Sequence, residues 1–109
     1  MSGSAQDLYD EGNGMIAIGN MSSAAEKYKR SIEVDPKFFD GWHALGMVLM
    51  KSGKLKEAIG AGLMATDLRP NDQLAWTSLS QMYMKNGQIK EAEAAKSNAT
   101  VIGIGGKLK

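Results

Sequence analysis

The sequence predicts an all-α protein of three consecutive helix–turn–helix units, and two observations carry that reading. The first is a period. Pro36 and Pro70 lie 34 residues apart, as do Trp42 and Trp76, Leu45 and Leu79, and Ala65 and Ala99. Ala24, Ala58 and Ala92, and likewise Gly19, Gly53 and Gly87, extend that spacing to three copies. The second is the placing of apolar residues. Trp42, Leu45 and Leu49, then Ile59, mark stripes at helical spacing, and no strand-like alternation bounded by turn residues occurs.

The first helix is expected over 4–18 and the second over 21–34, separated at Gly19. Asp35-Pro36 reads as a cap followed by a first-turn proline, opening a third helix over 37–52. Ser52-Gly53-Lys54 and Asn86-Gly87-Gln88 are turn tripeptides, with glycine set to take the left-handed conformation after a helix. The fourth helix, 55–69, contains Gly60 and Gly62, each costing ~1 kcal/mol relative to alanine. Gly62 holds the place of Tyr28 one copy earlier. Either a bulky neighbour such as Trp76 or Met64 fills the space, or the array is soft there. Gly46 is expected to face Ala58 so that two helices approach closely. A fifth helix follows over 72–86 and a sixth over 89–102, with Trp42 and Trp76 largely buried between helix layers.

The pattern Trp-x2-Leu-Gly, then Ala, then Pro, at this period resembles the tetratricopeptide repeat. The second copy matches at Trp42, Leu45, Gly46, Ala58, Ala65 and Pro70. The third matches at Trp76, Leu79, Tyr83, Ala92 and Ala99, with Ile104 where proline is usual. The first matches at Gly12, Ala24, Tyr28 and Pro36, with Leu8 in place of tryptophan. The resemblance implies a single domain over 1–109, with repeats at about 5–38, 39–72 and 73–106 and a short tail over 103–109, wound as a right-handed α-solenoid.

It also implies a concave groove lined by the first helix of each repeat, which binds a peptide or helical segment of a partner protein. By position the groove residues are Tyr9, Asn13, Ile16, Asp40, His43, Met47, Met50, Leu74, Thr77, Gln81 and Met84. The set is unusually apolar, and its methionines suit an adaptable binding surface. Some modules of this family hold the carboxylates of a chaperone tail in a clamp of lysine, asparagine and arginine. The corresponding residues here are Tyr9, Asn13, Ala44, Leu74 and Ser78, of which only Asn13 fits, so chaperone-tail binding is not expected.

Composition excludes other classes. Thirteen basic against 12 acidic residues give a net charge of +1, no footprint for nucleic acid or an anionic membrane. There is no cysteine, hence no disulfide scaffold, thiolate metal site or cysteine nucleophile. No apolar run approaches the ~18 residues of a membrane span, and the first residues are not those of a signal peptide, so a cytoplasmic location is expected. His43, the only histidine, lacks a ligand or nucleophile at a useful spacing, although Asp40 lies three residues before it and could pair with it. Glu91 and Glu93 face different sides of a helix. Gly103-Ile104-Gly105-Gly106 lacks the lysine and helix start of a phosphate loop. No enzyme, cofactor or metal is expected.

The sixth helix has Glu93 and Lys96 where earlier copies have Ala25 or Ile59 and Tyr28 or Gly62, the polar outer face of a last repeat. Glu93 and Lys96 share a helix face and can pair, worth ~0.2–0.5 kcal/mol. Val101 and Ile102 are expected to close this helix against the third hairpin, leaving a monomer. The rival is a structural protein that homo-oligomerises through its last helix and tail.

Overall fold

The computed structural model describes residues 3–108. Six helices follow one another: α1 (Ala5–Ala17), α2 (Met21–Val34), α3 (Phe39–Lys51), α4 (Leu55–Leu68), α5 (Gln73–Lys85) and α6 (Ile89–Gly103). They form three antiparallel hairpins stacked as an α-solenoid, and the described residues include no strand.

Local chemistry fixes the ends. The Ser4 hydroxyl, the Asn20 amide oxygen and the Asp72 carboxylate each accept a backbone N–H three residues on, capping α1, α2 and α5. Gly19, Gly53 and Gly87 take φ of 79°, 80° and 78°. At each, the glycine N–H and the next N–H turn back onto carbonyls of the preceding helix, as Gly53 to Met50 and Lys54 to Leu49. Pro36 behaves otherwise than its sequence suggests. Asp35 ends α2, α3 begins only at Phe39, and the proline sits in the turn between repeats. Its carbonyl accepts the Trp42 indole N–H at 2.7 Å, and Pro70 does the same for Trp76. These indoles therefore lie at the edge of the core, partly buried rather than enclosed.

The three hairpins close at the same point by three devices. In the first, the Tyr28 ring lies directly against Gly12, leaving no room for a Cβ. In the second, the partner position is Gly62, and the gap is filled by Met82 of α5 with Leu79 beside it, not by Trp76 or Met64. A Cβ on Gly62 would fall 2.9 Å from the Met82 Sδ, and one on Gly46 would fall 2.9 Å from its Cε and 3.5 Å from the Ala58 carbonyl. In the third, Ser80 replaces the glycine and donates its hydroxyl to the Ala92 carbonyl at 2.8 Å. The position is packed, not soft.

On α6 it is Ala92, Ala95 and Ala99 that face the third hairpin, whereas Val101 points outward and Ile102 is half-buried. Short alanines bring α6 closer than valine or isoleucine would allow. Glu93 and Lys96 are exposed and make no ion pair. Among the described residues the one ion pair joins Glu11 of α1 to Lys27 of α2 at 2.8 Å.

Two glycines of α4 should respond oppositely to one substitution. Nothing lies within 4 Å of a Cβ on Gly60, so Gly60→Ala should add about 1 kcal/mol of stability. Gly62→Ala drives a methyl into the buried thioether and should cost a net ~1–2 kcal/mol. Urea unfolding of both variants checks the sign of each.

Candidate functional site

The odd-numbered helices come together while the even ones spread. Cα atoms of α1 and α3, and of α3 and α5, approach within 8 Å, whereas α2 and α4, and α4 and α6, never do. α1, α3 and α5 therefore form the inner face.

Its side chains fall into two groups. The first flanks a pocket between α1 and α3 of about 250 Å³, lined by Ile16, Tyr28, Ala44, Met47, Val48 and Lys51. Ile16 is 41% exposed. Tyr9 packs at one side, its ring 5.9 Å from that of Tyr28 and 5.7 Å edge-on from that of Phe38. Tyr28 donates its hydroxyl to the Asn13 amide oxygen at 2.6 Å, so that oxygen is already engaged within the hairpin. Burial, with Tyr9 adding to it, raises the Tyr28 pKa and keeps the donor protonated.

The second group joins α3 to α5. His43 Nε2 lies 3.1 Å from the hydroxyl of buried Ser78, a hydrogen bond across two repeats. The imidazole stacks on Phe39 at 5.7 Å, and the Arg69 guanidinium lies 4.2 Å from the centre of the same ring. Asp40 is not the hydrogen-bond partner of His43. It and Asp72 act on the imidazole through their charge, and burial outweighs both, so the His43 pKa is lowered. Leu74 and Met84 of α5 are 61% and 50% exposed, and Gln81 is exposed beside them. Thr77 turns its hydroxyl back to the Gln73 carbonyl at 3.0 Å.

Met50 corrects one expectation. It is only 7% exposed and belongs to the main core, so it is not a groove contact. Tyr28 and Val48 are pocket walls that sequence reasoning passed over. Ala44 and Val48 stand four apart, a spacing that marks a stripe on α3 beside the one carrying His43 and Met47. Among the described residues no group of three histidine, cysteine or acidic side chains is placed to hold a metal. No helix of the described residues is long and apolar enough to cross a membrane.

Stacked helical hairpins with an open apolar inner face define the class of helical-repeat scaffolds. Residues 27–60 match the family model described as Tetratricopeptide repeat, and the fold is a three-repeat tetratricopeptide array. No curated protein matches the chain. The crystal structure of MamA superposes with a TM-score of 0.90 at 23% identity, over 95% of this chain and 61% of that one. The chain thus spans about three fifths of that protein. The second TPR of Spaghetti (RPAP3), bound to HSP90 peptide SRMEEVD, gives 0.85 at 23% identity over 90% of this chain and 91% of that one. The first TPR of Spaghetti, bound to the same peptide, gives 0.89 at 16% identity over 96% and 83%.

The lowered His43 pKa makes stability depend on pH. As pH falls through about 6.5 the unfolded chain takes up a proton that the folded chain still refuses. The stabilising contribution is therefore complete above about pH 6.5 and is lost as pH falls toward the folded value. His43→Gln should flatten the difference in urea stability between about pH 7.5 and 5.5. An unchanged slope would place the titration on another group.

Proposed function

We propose that the chain is a protein–protein interaction module, an adaptor holding a peptide or helical segment of a partner against the inner face of α1, α3 and α5. The carrying observation is the apolar pocket between α1 and α3, where exposed Ile16 and half-buried Met47 stand next to Lys51. An aliphatic or aromatic anchor in that pocket removes apolar surface of both partners from water, and Lys51 at the rim favours an acidic residue beside the anchor. His43, Gln81 and Met84 continue the surface toward the third repeat. The two peptide-bound Spaghetti domains support the reading, because the same fold there carries a peptide.

The peptide itself need not be shared. At the positions expected to clamp a chaperone carboxylate, Tyr9 packs on Tyr28, Asn13 is bonded to Tyr28, Leu74 is apolar and Ser78 is buried against His43. No cation stands among them to offset a desolvated carboxylate. Exposed Val101 and 83%-exposed Ile104 favour a second reading, self-association through α6 and the tail. Sedimentation equilibrium separates the two, a monomer at micromolar concentration supporting the adaptor.

Peptides selected from a random library on this chain should lose at least tenfold in affinity to Ile16→Glu with Met47→Glu, while the helical signal stays. SRMEEVD should not bind. Selected peptides indifferent to the double variant, or a salt-sensitive micromolar complex with SRMEEVD, would contradict the reading.

A further inference from the structure

The outer face carries a second cleft, independent of the inner groove. α4 and α6 do not meet, and the space between them, about 650 Å³, is floored by Trp76 and walled by Gly60, Leu63, Met64 and Asn98. These walls differ from the same surface one repeat earlier. Gly60, Leu63 and Met64 stand where α2 has Glu26, Lys29 and Arg30. A helix face turned to water ordinarily keeps such charges. Here two apolar side chains replace them, and Gly60 leaves the mouth open, with nothing within 4 Å of where a Cβ would stand.

The chain itself supplies an occupant. After α6, Gly105 takes φ of 92°, and the Gly105 and Gly106 N–H groups turn back onto the Ile102 and Val101 carbonyls. A Cβ on Gly106 would fall 2.8 Å from the Val101 carbonyl oxygen, and Gly103 lies directly against the Gln73 amide. Gly105 and Gly106 are therefore held to glycine by the path of the backbone, whereas Gly103 meets only the end of the Gln73 side chain. The Gly103-Ile104-Gly105-Gly106 motif is a reverse turn. It returns the segment to the α4–α5 turn, where the Leu108 N–H donates to the Asn71 amide oxygen at 2.8 Å and Leu108 joins the lining of the cleft.

We propose that the cleft between α4 and α6 is a second peptide-binding site, selective for an aliphatic side chain on an extended segment, and that Leu108, carried back by the turn after α6, takes one edge of it in cis. Asp67 at its edge suits a basic flank such as Lys107. A ligand on so short a tether acts at an effective concentration on the order of mM. Segments of comparable affinity from another molecule therefore compete with Leu108 and enter fully only when it leaves.

The test uses the full chain and the Trp76 indole N–H resonance, one of two such signals. The probe is a synthetic peptide, Ile-Gly-Gly-Lys-Leu-Lys. In Leu108→Asp the resonance should move on titration, with half-saturation at least about tenfold lower than in the native chain. Gly105→Val, which keeps Leu108 but strains the turn, should behave like Leu108→Asp, and a probe with aspartate for leucine should move neither. Unchanged circular dichroism confirms that both variants stay folded. Equal responses of the native chain and Leu108→Asp, or a resonance unmoved in all three proteins, would overturn the proposal.

Discussion

Met82 crosses from α5 into the second hairpin, and the rest of the array is hung on that crossing. Its Sδ and Cε rest against Gly62 and Gly46, on two different helices, and it is wholly buried. A hairpin closed by its own aromatic residue, as Tyr28 closes the first, would present a finished surface to the next repeat. The second hairpin is left unfinished by two glycines and is completed only when α5 docks. Methionine fits this task because its unbranched, polarizable chain fills irregular gaps without a preferred shape. Cutting Met82 back leaves a void that the close-packed surroundings cannot fill, and adding a side chain at Gly62 forces a clash.

This crossing also places the two proposed binding surfaces. With α5 seated on α3 and α4, Ser78 comes within reach of His43, and the inner face of the third repeat is fixed relative to the second. A surface held in place before binding spends less free energy on ordering when a partner arrives. On the outer side the same seating leaves α4 and α6 apart, so the floor of the outer cleft is α5 itself, with Trp76 held by the Pro70 carbonyl. The two surfaces therefore lie on opposite sides of one stack, and each repeat needs only its neighbours to hold its shape.

The architecture was legible because its signals are local. Glycine at Gly19, Gly53 and Gly87 is demanded by positive φ, and the apolar stripes need only helical spacing, so every helix end fell within two residues of its expected place. What was hidden depends on contacts distant in sequence. Met47 and Met50 lie on one stripe of α3, yet Met50 joins the core while Met47 stays at the pocket. The filler of Gly62 comes from another hairpin, and its identity follows from no periodicity. Pro36 reads locally as a helix start, but the bond between its carbonyl and the Trp42 indole holds it in the turn. The glycines after α6 carried no meaning until Asn71, from another repeat, appeared as the partner of Leu108.

A double-mutant cycle between Gly62 and Met82 tests the central contact most directly. The free-energy change of Gly62→Ala is measured by urea unfolding in the native chain and again in Met82→Ala. If the thioether is what excludes a side chain at Gly62, the substitution turns from destabilising to stabilising once Met82 is cut back, because the methyl then enters vacated space and gains the helix propensity of alanine. An equal cost in both backgrounds would contradict the account, showing that something other than Met82 excludes a side chain at Gly62.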